Sequence, residues 1–394
     1  MILKNRVFSF FYTLTYLALC LVSGLWASCT KEPAVLNPTT IPVLDTLVPI
    51  SPHLRGAWLT NVDSKVLYSR EGIQRAVKVC RANGINHLFV VMWNKGRTLY
   101  PSRIMRDTFG IEIEEGLAGR DPLREILDAA HADSLKVYAW MEYGFAAENS
   151  GKGEHILRLR PQWVALNENG QRVVKNGFTW MNALDPQVQH FMLALMKELV
   201  IQYPDLDGIQ GDDRLPALPS EGGYNPEIIA SYKAENGGQE PGGGKTDQRW
   251  IDWRANRLSQ YAGRIYRELK ALNPRLKIAM APSVFPFAKT EYLQDWPTWV
   301  KEGWTDLISP QIYRYNIQAY SQELTKIVSE QVAPEKWPTV YPGVLLKLGS
   351  YRPSESFLSL MVQENRLQKI NGEIFFFYEG IQENPDYFRK YRSN

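Results

Sequence analysis

From residue 53 onwards, short apolar runs rich in β-branched and aromatic residues alternate with longer segments whose apolar positions return every third or fourth residue. The first pattern is that of buried strands and the second that of amphipathic helices. Strands are predicted over 56–60, 87–93, 136–142, 206–211, 277–282, 306–313, 339–345 and 373–378. Helices are predicted between them over 70–83, 121–134, 186–203, 249–273, 291–303, 317–332 and 354–370. The longest carries Trp250, Trp253, Leu258, Tyr261, Ile265 and Leu269 at helical spacing, a stripe that reads as core. Strands apolar on both faces need helices outside them, so eight successive βα units predict a (β/α)8 TIM barrel of the α/β class, one domain over 53–394. A doubly wound open sheet is the competing arrangement. No GxGxxG or phosphate loop follows the first strand, which removes the usual reason for choosing it.

Ahead of that domain the pattern changes. Lys4 and Arg6 precede an apolar run over 7–22, the layout of an export signal occupying 1–28. The small pair Ala27-Ser28 before Cys29 resembles a bacterial lipoprotein processing site, with Cys29 acylated and left as the mature N-terminus. Trp26 stands where such a site has Leu, Val or Ile, so cleavage by an ordinary signal peptidase and a retained membrane helix are the competing readings. Residues 29–52 hold Pro33, Pro38, Pro42, Pro49 and Pro52 without helical period and read as an extended tether. The expected location is the cell envelope, with the chain lipid-anchored to a membrane, the outer membrane first among them.

Charge narrows the partners. Lys and Arg number 45 against 42 Asp and Glu, and the two signs are interleaved, so no basic face for nucleic acid is expected. The 5 histidines include no HExxH, and neither a metal nor an organic cofactor is predicted. Of the 3 cysteines only Cys80 falls within the barrel, on a helix face where it reads as a small buried hydrophobe. The 12 Trp and 20 Tyr suit either stacking against sugar rings or filling a large core.

In a barrel the groups that do chemistry sit where strands run into their βα loops. The first strand end offers Trp58 and Asn61, the second Trp93 and Asn94, the third Trp140, Glu142 and Tyr143, and the fourth Asp212-Asp213-Arg214. Later ends add Gln311 with Tyr313, and Tyr378 with Glu379. Carboxylates, amides and aromatics are the inventory of a glycosidase, which needs a proton donor, a second carboxylate or its equivalent, and rings and amides to hold a sugar. Consecutive strand residues point to opposite faces, so Asp212 and Asp213 can serve one pocket only where the strand breaks. Adjacent carboxylates raise each other's proton affinity. The competing readings of the pair are a helix cap, an ion pair with Arg214, or a divalent-cation site. Glu142, between Met141 and Tyr143, is a candidate acid/base if desolvated and otherwise a structural partner for a basic side chain.

Several of these stretches together resemble the glycosyl-hydrolase-like 10 family of bacterial lipoprotein barrels. They are 55–61 (RGAWLTN), 99–102 (LYPS), 121–123 (DPL), Ala139-Trp140, 181–186 (MNALDP), 207–209 (DGI) through Asp212-Asp213, and 308–313 (ISPQIY). The strand-four motif of that family has His and an aromatic before the acidic pair and Tyr after it, where this chain has Gln210-Gly211 and Arg214. Its strand-three motif continues Phe-Asn-Pro-Tyr, where Met141-Glu142-Tyr143-Gly144 stand here. The resemblance implies cleavage of peptidoglycan glycan strands between N-acetylmuramic acid and N-acetylglucosamine. Trp58, Trp93, Trp140 and Tyr143 would then supply stacking faces, and Asn61, Asn94 and Gln311 hydrogen bonds. Asp207-Gly208-Ile209 followed by Asp212 is also similar to the strand-four motif of family 18 chitinases, whose terminal glutamate falls on Arg214. A substrate-assisted mechanism with Asp212 orienting the 2-acetamido group would take its acid from Glu142. A non-catalytic glycan-binding lipoprotein, and a hydrolase of another polysaccharide, are the alternatives.

Overall fold

A computed structural model describes residues 53–243 and 246–391. The predicted signal over 1–28, the tether over 29–52 and the lipidation site Cys29 lie outside the described residues.

Eight parallel strands form one sheet: β1 (Leu54–Leu59), β2 (His87–Val91), β3 (Lys136–Trp140), β4 (Gly208–Asp212), β5 (Lys277–Ala281), β6 (Leu307–Ile308), β7 (Gly343–Leu345) and β8 (Gly372–Phe376). Their order is β6-β5-β4-β3-β2-β1-β8-β7. The sheet curls until its two edge strands meet through parallel bridges at Ile308–Val340 and Gln311–Gly343. There the amides of Tyr341 and Gly343 donate to the carbonyls of Ile308 and Pro310, both at 2.9 Å. This is the sequential order of a TIM-barrel-like fold.

The outer layer holds α1 (Arg70–Ala82), α2 (Pro122–Ala132), α3 (Pro186–Gln202), α4 (Gln248–Leu272), α5 (Trp296–Lys301), α6 (Ile317–Lys326) and α7 (Glu355–Leu367). Side chains of Ser69, Asp121, Asp185, Asp247, Asn316 and Ser354 cap six of these starts by accepting from amides of the first turn. Pro122 and Pro186 occupy the first helical position, where no amide donor is needed. Cys80 is buried on the inner face of α1.

Departures from the predicted elements have local causes. β6 is two residues long, because Pro310 has no N–H to continue the ladder. The helix expected over 291–303 divides into Phe287–Tyr292 and α5, with Leu293 in the left-handed conformation at φ 59° between them. Long loops follow β2, β3 and β4. The β2 loop opens with a tight hairpin (Trp93–Asn94 with Arg97–Thr98), and the β3 loop builds a three-stranded antiparallel sheet from Ala146–Asn149, Phe178–Trp180 and Val174–Lys175.

Two features of β4 and β8 are structural. Asp207 accepts from the Val137 amide at 2.9 Å and pairs with Lys136 and His131, holding the entry of β4 to that of β3. Gly208 follows because a Cβ there would lie 2.3 Å from the Tyr138 ring. At the start of β8, fully buried Glu373 takes both guanidinium nitrogens of Arg366 at 2.9 Å and the Asn365 amide at 3.0 Å, with the Tyr391 hydroxyl as a further donor. Removing one partner of a buried pair leaves an uncompensated charge. Arg366→Met is therefore expected to cost about 3 kcal/mol of stability, read as a lower denaturant midpoint.

Candidate active site

The site begins at a backbone feature. After β3 the chain turns with Tyr143 at φ 63° and Gly144 at φ 37°. A Cβ on Gly144 would lie 2.3 Å from the Arg214 carbonyl oxygen, so only glycine permits this approach. The Phe145 amide donates to that same oxygen at 3.1 Å, and the Tyr143 amide donates to Asp212 Oδ2 at 3.2 Å. The turns leaving β3 and β4 are thereby locked together.

Glu142 points inward from this turn and is almost fully buried. Its carboxylate accepts from Thr60 Oγ1 at 3.0 and 3.1 Å and from Asn94 Nδ2 at 2.5 Å. Asn94 also donates to Asn61 Oδ1 at 2.9 Å, so the ends of β1, β2 and β3 converge on one carboxylate. Asn94 is aimed by the hairpin that follows it, whose turn residues Lys95 and Gly96 both have positive φ. Burial pushes the Glu142 carboxyl up from 4.5 to about 7, against the opposing pull of its Thr60 and Asn94 hydrogen bonds and of the more distant Arg214 and Lys95.

β4 ends at Asp212, so Asp213 falls in the turn rather than on the opposite face of a strand. Buried Asp212 also accepts from the Arg214 amide at 2.8 Å. Burial first, then repulsion by Asp213, holds its carboxyl well above the usual carboxylate range. Asp213 pairs with the Arg214 guanidinium at 2.8 Å. That guanidinium sits 4.7 Å from the Tyr143 ring centroid and 5.6 Å from that of Phe178. The Tyr313 hydroxyl is driven far above its ordinary value by burial and by the negative charge of Asp213, Asp212 and Glu142.

Glu142, Asp212, Asp213, Asn61, Asn94, Tyr143 and Tyr313 thus gather at the C-terminal end of the barrel. Other expected residues do not present themselves to a ligand. Trp58 is buried in the barrel interior, its indole donating across to Gln210 Oε1 at 2.7 Å. Trp93 is buried too, donating to the Gly144 carbonyl at 2.8 Å and packing edge-on to Phe191 of α3. Trp140 lies 6.3 Å from Trp58 with little exposed surface. These three indoles are packing, not open stacking faces. The Tyr143 ring is covered by Phe178 at 4.6 Å and by Arg214. Gln311 uses its amide on the Ala281 carbonyl at 2.8 Å, tying β5 to the chain after β6. Tyr378 is buried near Cys80 and Arg75 of α1, and Glu379 accepts from Ser64 and Gln382, so neither joins the carboxylates.

The sequence reading missed Thr60, Phe178 and Tyr292. Thr60 adjoins Asn61 at a strand end and was detectable there. Phe178 and Tyr292 arrive from loop structure: Tyr292, held by Asn176 at 2.8 Å, senses both Arg214 and Asp213. Among the described residues no group of three or more His, Cys, Asp or Glu side chains is disposed to hold a metal ion.

A family model described as glycosyl hydrolase-like 10 matches residues 53–348. Glycosyl hydrolase DigH of Escherichia coli K12 is 27% identical over 338 residues, covering 75% of this chain and 73% of that protein. Glycosyl hydrolase YngK of Bacillus subtilis is 23% identical over 382 residues, covering 84% and 69%. The PgaB (BpsB) glycoside hydrolase domain of Bordetella bronchiseptica superposes with a TM-score of 0.64 at 14% identity, over 86% of this chain and 98% of that one. An endo-1,4-β-D-mannanase of Thermotoga petrophila gives 0.52 at 13% identity, over 82% and 88%.

The raised Glu142 carboxyl has a stability signature. The folded protein holds its proton up to about pH 7 and the unfolded chain only to about 4.5, so this group's contribution falls as pH rises between those values. Glu142→Gln cannot ionise. The stability of the variant relative to the parent is expected to improve by about 3 kcal/mol between pH 4 and pH 8, measured by denaturant unfolding at each pH.

Proposed function

The chain belongs to the glycosyl hydrolase-like 10 family, and from that premise we propose that it hydrolyses glycosidic bonds in an amino-sugar polymer of the bacterial envelope, with peptidoglycan glycan strands as substrate. One observation carries the reading. A buried carboxyl that keeps its proton to about pH 7 stands beside an acidic pair at the catalytic end of a barrel.

Glycosidic cleavage needs a proton on the departing oxygen and compensation of positive charge at the anomeric carbon. In this scheme Glu142 donates the proton. Thr60 and Asn94 then stabilise the carboxylate left behind, which lets it take a proton from the incoming water in the second half of the reaction. Asp212, whose carboxyl burial and Asp213 hold above the usual carboxylate range, orients the 2-acetamido group, whose carbonyl oxygen bonds to the anomeric carbon as the leaving-group bond breaks. Asp213, fixed by Arg214, contributes negative potential to the same pocket. The names of DigH and YngK as glycosyl hydrolases support the reaction class. Placement at a membrane through an acylated Cys29 belongs to the same proposal and rests on sequence alone.

The test is mass spectrometry of glycan strands, with and without stem peptides, after incubation with the purified chain. Short products are expected from the parent, with rates reduced by about 10²-fold or more in Glu142→Gln and Asp212→Asn. The parent rate should fall as pH rises through about 7, because the acid must be protonated. Asn94→Leu removes a hydrogen bond that favours the ionised form, so its alkaline limb should move to higher pH. Intact strands that nevertheless retain the protein would favour a binding module, and no interaction would point to another polysaccharide.

A further inference from the structure

Beyond the carboxylates, the rim at the same end of the barrel carries exposed apolar side chains with no role in the scheme above. Tyr315 is 63% exposed and Leu348 52% exposed. Tyr315 lies in the loop from β6 to α6, and Leu348 and Tyr351 in the loop from β7 to α7. The Tyr315 and Tyr351 rings meet edge to face, 4.8 Å apart with an interplanar angle of 88°.

The corner is built rather than incidental. Leu348 and Tyr351 pair across a tight turn, the Tyr351 amide donating to the Leu348 carbonyl at 2.9 Å, with Gly349 at φ 53° between them. The Arg352 guanidinium donates to the carbonyls of Gly349 at 2.8 Å and Tyr351 at 2.7 Å and pairs with Glu383. Glu383 also takes Lys347 at 2.5 Å, so the basic side chains beside the turn are paired and leave the patch without an anion-seeking charge. Arg314, between Tyr313 and Tyr315, is likewise paired with Glu323 at 3.2 Å. An edge-to-face pair held on a braced turn presents an apolar face bordered by hydroxyls, which is the complement of a sugar ring. The corner lies at the same end of the barrel as the site: the Tyr313 ring packs 5.4 Å from Phe376, the last residue of β8, and Tyr315 is two residues further along the same loop.

We propose that Tyr315 and Tyr351, with Leu348, form a stacking subsite for a sugar residue of the same polymer strand that lies outside the cleaved linkage. This rests on the glycoside hydrolase reading. The subsite would bind neutral sugar rings through their apolar faces and lengthen the stretch of strand held by the protein.

The test measures binding and hydrolysis of peptide-free glycan strands fractionated by length, for the purified parent, Tyr315→Ala, Tyr351→Ala and Tyr315→Phe. A lost stacking contact is expected to weaken binding of long strands by about tenfold in both alanine variants. Binding and cleavage of the shortest cleaved fragments should stay at parental level, and Tyr315→Phe should retain long-strand affinity. Equal affinity of parent and alanine variants for long strands would overturn the subsite, as would losses that are the same at every length. A length-dependent loss of binding in the alanine variants, with no cleavage by the parent, would leave the subsite standing and overturn the hydrolase reading instead.

Discussion

The close approach of two backbone turns, the one after β3 and the one after β4, is the contact on which the site depends. Gly144 lets the Arg214 carbonyl come near enough to take the Phe145 amide, and the left-handed Tyr143 aims its own amide at Asp212. Glu142 and Asp212 are therefore placed by main-chain geometry, and their spacing does not rely on flexible side chains. Such backbone conformations persist only where surrounding contacts over-determine them. Here the contacts are the Trp93 indole on the Gly144 carbonyl and the Arg214 guanidinium against Tyr143 and Phe178.

Burial then sets the electrostatics. A carboxyl removed from water prefers its neutral form, and the donors Thr60 and Asn94 oppose that preference without cancelling it. The result is a group near balance between its two protonation states at neutral pH, as an acid that later acts as base requires. Arg214 distinguishes the acidic pair: its guanidinium pairs directly with Asp213, while Asp212 takes its backbone amide and feels the guanidinium charge without a side-chain hydrogen bond to it. The residue standing where a chitinase-like acid would fall has become the support of the pair.

Much of the barrel was legible because its causes are local. Alternating periodicities located all eight strands, and the helices predicted over 121–134 and 186–203 start within a residue of the observed starts, which Asp121 and Asp185 cap. Glu142 and the acidic pair were legible as polar groups at the ends of apolar runs. The stacking roles given to Trp58, Trp93 and Trp140 failed, since a strand-end position says nothing of whether an indole faces solvent or the barrel interior. Tyr378 failed for the same reason, its side chain being buried. Phe178 comes from a loop sheet set by long-range pairing, and Tyr292 ends a short helix that stops where the sequence pattern predicts one to begin, so no short-range pattern announces either.

The central claim is that Glu142 holds a proton at near-neutral pH within a ready-made site. Infrared difference titration, taking the carboxyl stretch of the parent minus that of Glu142→Gln and of Glu142→Gln/Asp212→Asn minus Asp212→Asn, separates this group from its neighbour Asp212. A protonated carboxyl band that disappears with a midpoint near pH 7 is expected. A midpoint near 4.5, the ordinary value for a solvated glutamate, would contradict it.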